Sequence, residues 1–81
     1  MEDKMLEQAA EILGITITEA WKNRMYVAEA DAWYFWSSVR GGKQLIIGND
    51  GTTLVADGNV NRNVMVKQFI RQSHHWYDNL S

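Results

Sequence analysis

Four consecutive aromatic residues, Trp33-Tyr34-Phe35-Trp36, constrain this chain more than any other feature. In an extended segment side chains alternate between faces, so Tyr34 and Trp36 point one way while Trp33 and Phe35 point the other. Both faces of such a strand need cover, since each ring buries on the order of 150–250 Å² when packed. The segment runs into Arg40-Gly41-Gly42-Lys43, whose glycines suit a hairpin turn. Gln44 to Ile47 and Thr52 to Ala56 are further β-favouring runs, separated by Gly48-Asn49-Asp50-Gly51. The pattern predicts an antiparallel meander over residues 33–56, turning at Gly41-Gly42 and at Asp50-Gly51.

Helical patterns flank the meander. From Asp3 to Leu13, Met5, Leu6, Ala9, Ile12 and Leu13 share one side of a 3.6-residue period, with Lys4, Glu7 and Glu11 opposite and Gly14 placed to end the helix. From Asn61, which suits a helix N-cap, Met65, Val66, Phe69, Ile70, Trp76, Tyr77 and Leu80 form a second apolar stripe. Asn63, Lys67, Arg71, His74 and Asp78 line its polar side. Residues 15–31 are harder to read. The alternation of Ile15, Ile17 and Trp21 favours a strand, with a turn near Asn23 and a second strand through Val27, Glu29 and Asp31; Trp21, Met25 and Ala28 also fit a helical face. The predicted architecture is α+β: an N-terminal helix, a three- or four-stranded antiparallel meander and a C-terminal amphipathic helix, in one domain over residues 1–81.

A core this small gives only roughly 3–5 kcal/mol of stability, and a chain of 81 residues without cysteine has no disulfide to add to it. The acidic start Met1-Glu2-Asp3-Lys4 does not suit a signal peptide, and no apolar run reaches the roughly 18 residues of a membrane span. A cytoplasmic protein is expected. The net charge of −2 combines an acidic first part with a basic excess after Asp31, carried by Arg40, Lys43, Arg62, Lys67 and Arg71.

Catalytic chemistry is poorly supplied. No Ser lies in a G-x-S-x-G elbow, and Ser37 and Ser38 suit a strand end. His74 and Asp78 share a helical face, with His75 beside them, but zinc normally takes three protein ligands and the chain has no further His and no Cys. The acids and asparagines around Gly51 and Gly58 lack the alternate oxygen ligands of a calcium loop, and Arg40-Gly41-Gly42-Lys43 lacks the spacing and following helix of a phosphate loop. Glu29 and Asp31, read on one side of a strand, are the remaining carboxylate pair for acid–base work; a solvated edge explains them equally. No cofactor, metal site or enzymatic activity is expected.

A binding role accounts for more of the sequence. If both helices pack on one sheet face, Tyr34, Trp36, Ile46 and Val55 are left as an uncovered patch beside Arg40 and Lys43, and such patches mark interfaces. One helix on each face, or a third helix within residues 18–30, would seal the sheet instead. The patch suits a heterologous protein or a second copy in a homodimer. The alternative is single-stranded nucleic acid held by the basic turn and the aromatic strand, against which the acidic balance counts. The order of elements, with Trp33-Tyr34-Phe35 in a central strand and the Gly48-Asn49-Asp50-Gly51 hairpin before a terminal helix, resembles that of small bacterial toxin-immunity proteins. The resemblance implies a protein-binding inhibitor, and the expected role is that of an inhibitor or accessory protein from a bacterium or phage.

Overall fold

The structure, a computed structural model, describes residues 2–38 and 42–73. Helix α1 (Glu2–Leu13) and a short helix α2 (Ile17–Lys22) precede strand β1 (Arg24–Val27). A 3₁₀ turn (Ala28–Ala30) leads to β2 (Ala32–Trp36), followed by β3 (Lys43–Gly48), β4 (Thr53–Asp57) and helix α3 (Arg62–Ser73). The four strands form one antiparallel sheet in chain order, β1-β2-β3-β4. The α+β architecture and the meander expected from the sequence are both present. Gly51, at φ +91°, supplies the left-handed residue of the second hairpin. Gly41 and Arg40, at the first, lie outside the described residues, as do His74, His75, Trp76, Tyr77, Asp78 and Leu80.

Helix α1 stops where its sequence says it should. Gly14 takes φ +70°, and the Ile15 amide donates back to the Ala10 carbonyl at 3.0 Å, the six-residue closure that satisfies a terminal carbonyl. The following segment corrects the strand expected through Ile15, Ile17 and Trp21. Thr16 caps α2, its Oγ1 accepting the Glu19 amide at 3.0 Å, so Thr16-Ile17-Thr18-Glu19 acts as a helix start. The expected turn near Asn23 is present, but only Arg24–Val27 of the second run is extended. Glu29 lies in the 3₁₀ turn and Asp31 takes a left-handed conformation at φ 49°, so the pair does not share a strand face.

The sheet is covered on both sides. On one, Phe35, Leu45 and Ile47 pack with Leu6, Ala9 and Ala10 of α1 and Ala20 of α2. On the other, Val27, Ala32, Tyr34 and Ile46 pack with Met65, Val66 and Phe69 of α3. Helix α3 is capped as its sequence predicts, the Asn63 amide donating to Asn61 Oδ1 at 2.8 Å. What steers α3 to its face is Gln44, a buried polar residue inside an apolar strand. Its Nε2 donates to the carbonyls of Asp57 at 2.8 Å and Val60 at 2.7 Å, and its Oε1 accepts the Tyr34 hydroxyl. The connection leaving β4 is thereby tied to the Tyr34 side. Unbonded, that amide would cost roughly 1–3 kcal/mol, so the tie is strongly specified.

Candidate functional site

The two-sided cover buries two of the residues expected at an interface from the sequence. Tyr34 is 7% exposed and Ile46 is fully buried, both beneath α3, while Trp36 is half-buried and stacked on Tyr34 with ring centroids 5.5 Å apart. Burial raises the Tyr34 phenol above its ordinary pKa, against a smaller opposing effect of the Arg62 charge. Val55 is exposed but belongs to the other face. The register aligns Tyr34 with Ile46 and Ile46 with Leu54, whereas Val55 opposes Leu45. Lys43 is exposed at the start of β3, opposite Asp57, and Arg40 lies outside the described residues. The structure therefore does not gather Tyr34, Trp36, Ile46, Val55 and Lys43 into one accessible surface.

Exposed aromatic surface occurs instead along β1. Ile17 and Trp21, one turn apart on α2, are each about half exposed, at 52% and 53%, and Tyr26 is 45% exposed. Between them the Arg24 guanidinium lies 3.8 Å from the Trp21 ring centroid and 4.8 Å from that of Trp33. Its Nε donates to the Trp21 carbonyl at 3.1 Å, which sets the orientation of the plane. Tyr26 meets Trp33 edge to face at 5.2 Å and donates its hydroxyl to Asp31 Oδ1 at 2.7 Å. That hydrogen bond, more than burial or the Asp31 charge, raises the phenol's pKa. The cluster is a rigid aromatic frame around a cation, worth roughly 0.5–1 kcal/mol per exposed cation–π contact.

The opposite side of β1 is a groove. It has a volume of about 210 Å³ and is lined by Met25, Tyr26, Val27, Glu29, Arg62, Asn63 and Val66. Arg62 reaches back across it, Nη1 lying 3.7 Å from Met25 Sδ and the guanidinium 5.9 Å from the Tyr34 ring centroid. Among the described residues neither Arg24 nor Arg62 is paired with a carboxylate.

β1 is also an edge strand with open backbone groups. Trp36 donates its amide to the Asn23 carbonyl at 3.2 Å, so in the continuing antiparallel alternation Met25 and Val27 face β2. The N–H and C=O of Arg24 and Tyr26 point outward. The other edge is better closed, since the outward carbonyls of Thr53 and Asp57 on β4 accept from Gln72 Nε2 at 3.3 Å and the Val60 amide at 3.1 Å.

Sequence reasoning missed Trp21, Arg24 and Tyr26 because residues 15–22 were given a strand period. The available signal was the threonine followed three residues later by glutamate, which places Ile17 and Trp21 on one helical face. The other polar cluster is a clamp: Glu19 Oε2 accepts the Ser38 amide at 3.0 Å and hydroxyl at 2.7 Å, and Asn23 Nδ2 donates to Ser38 Oγ at 2.8 Å. It holds the end of β2 to α2, with the Ser38 hydroxyl donating to the Glu19 carboxylate. Among the described residues no three His, Cys, Asp or Glu side chains converge as a metal site, and no helix is long and apolar enough to cross a membrane. Compared with known proteins, the chain matches no family model, no curated protein and no solved structure.

Proposed function

We propose that this chain is a non-catalytic protein-interaction module that engages a partner protein at the β1 margin of its sheet. The observation that carries this reading is the half-exposed Trp21 and Tyr26 arranged around Arg24, beside an edge strand whose Arg24 and Tyr26 backbone groups point away from the sheet and are open among the described residues. Trp, Tyr and Arg are the residues most enriched at binding hot spots. Here all three are held in place before any partner arrives, which lowers the ordering cost of association. A module that binds without chemistry of its own acts as an inhibitor or accessory protein, and its cysteine-free composition is in keeping with the cytoplasm.

The test compares the wild-type chain with Trp21→Ala and, as a control at the opposite edge, Val55→Ser. Each immobilised protein is exposed to host extract and the captured proteins are quantified. A central anchor contributes at least about 2 kcal/mol, roughly thirtyfold in affinity, so Trp21→Ala is expected to lose the captured partner while Val55→Ser retains it. Because Trp21 is half exposed, thermal unfolding of the variant should stay close to that of the wild type. Equal capture by all three proteins would falsify the placement of the interface, and salt-sensitive retention of single-stranded oligonucleotides instead would favour a nucleic-acid module.

A further inference from the structure

Resting on that reading, we infer that the partner contributes an extended acidic segment, which adds as a fifth strand along β1. Three features of the margin converge on this occupant. The first is the backbone: Arg24 and Tyr26 direct both N–H and C=O away from β2, at the alternate spacing that another extended chain matches.

The second is the shape on either side of the edge. An added strand points successive side chains to opposite faces. One set enters the groove of about 210 Å³ between β1 and α3, against Met25, Val27 and Val66. The other lies along Trp21, Arg24 and Tyr26. The groove and the aromatic frame are thus the two alternating subsites of one strand.

The third is charge. Arg24 lies on the aromatic side of the edge, and Arg62 on the groove side, in contact with the neighbouring residue Met25. The two guanidiniums thus lie on opposite faces of the sheet at its β1 margin, Arg24 against Trp21 and Trp33 and Arg62 against Met25 and Tyr34. Two adjacent acidic residues in an incoming strand would meet one each. Charge-assisted hydrogen bonds of this kind are roughly twice as strong as neutral ones. Glu29, also in the groove, discourages an acid beside it. A second copy of the chain is a poorer occupant, because two-fold pairing of β1 with itself supplies no carboxylate to Arg24 from the strand Arg24-Met25-Tyr26-Val27. Nucleic acid offers phosphates but no groups in register with a strand edge.

The experiment uses the full chain and three capped peptides of alternating Thr and Val: one with a central Asp-Glu pair, one with Asn-Gln in its place, and an acidic one N-methylated at the amides that would face β1. Backbone amide exchange and NMR titration are read on the protein. The acidic peptide is expected to bind and to slow exchange at the Arg24 and Tyr26 amides, while N-methylation abolishes both effects. Replacing Asp-Glu by Asn-Gln, or making Arg24→Gln or Arg62→Gln, should weaken binding by about tenfold each. The peptide comparison is made on the unaltered protein, so it stands even if a variant misfolds. Unchanged exchange at Arg24 and Tyr26 with the acidic peptide overturns the inference, as does equal binding of the neutral peptide. Concentration-dependent protection without any peptide would assign the edge to a second copy, and protection by an oligonucleotide would assign it to nucleic acid. If the acidic peptide is inert while partner capture still depends on Trp21, strand addition fails and the interaction module stands.

Discussion

At the scale of single residues, two positions show how close the packing is and how charge secures it. A Cβ added at Gly48 would lie 2.9 Å from Phe69 Cζ and 2.8 Å from Asp50 Oδ1. The Asp50 side chain can move only by giving up its bond from the Thr52 amide, and the Phe69 ring is buried in the core with Met65 and Ile46. Gly48→Ala should therefore cost about 1–3 kcal/mol, measured by denaturant unfolding, as overpacking does elsewhere. The second position is Glu19, whose pKa is lowered chiefly by the Ser38 amide and then by the Ser38 hydroxyl, against a small opposing effect of burial. A carboxylate with a lowered folded pKa contributes stability above its ordinary value and loses it as pH falls through the folded one. The stability difference between wild type and Ser38→Ala, measured by thermal unfolding, should be present near neutrality and shrink on acidification below about pH 4.3. Both residues carried a partial sequence signal: Gly48 read as a turn glycine, whereas the Phe69 contact that requires it arises 21 positions later in the chain and leaves no local trace.

Among the elements, the aromatic strand and its two hairpin partners were legible because period-two apolar runs bounded by glycines have few other solutions. Ile15–Lys22 was not. Six residues, Ile17–Lys22, make a helix too short for its apolar spacing to outweigh β-branched neighbours, and the outcome is decided by the Thr16 cap and by Ala20 packing into the core. The same error hid the exposed pair Ile17 and Trp21, so the candidate site was lost with the element that bears it. Helix α3 was legible in both its cap and its buried stripe. Phe69, 1% exposed, is its central contact with the sheet, and Lys67 and Arg71 face solvent. Phe69→Ala should lower unfolding free energy by about 3–5 kcal/mol, enough to abolish the folded baseline of so small a domain. A near-normal unfolding midpoint would show that the helix does not depend on this contact.

For the whole molecule, the sheet is a shared wall between two cores, and this is what decides where a partner can bind. Placing both helices on one face would have left Tyr34 and Ile46 for an interface. Instead the Gln44 bonds to Asp57 and Val60, with Gly58 closing so tightly on the first hairpin that an added Cβ would sit 2.2 Å from the Gly42 carbonyl oxygen, commit the chain after β4 to the Tyr34 side. No helical periodicity encodes that choice; it rests on one polar residue whose partners are backbone carbonyls 13 and 16 positions away. With both faces of the sheet covered, its edges are what remains open, and among the described residues β1 is the less protected of the two. The division can be tested by ending the chain after Val60. Loss of α3 uncovers Tyr34 and Ile46 and removes Met65, Val66 and Phe69 from the core. At roughly 1.5–3 kcal/mol for each large apolar side chain, that loss matches or exceeds the whole margin of such a domain. Residues 1–60 should show no cooperative thermal transition by circular dichroism and should associate through the exposed face. A monomeric fragment that still melts cooperatively would mean that the first core suffices by itself, and that the Tyr34 face is free to serve as a surface after all.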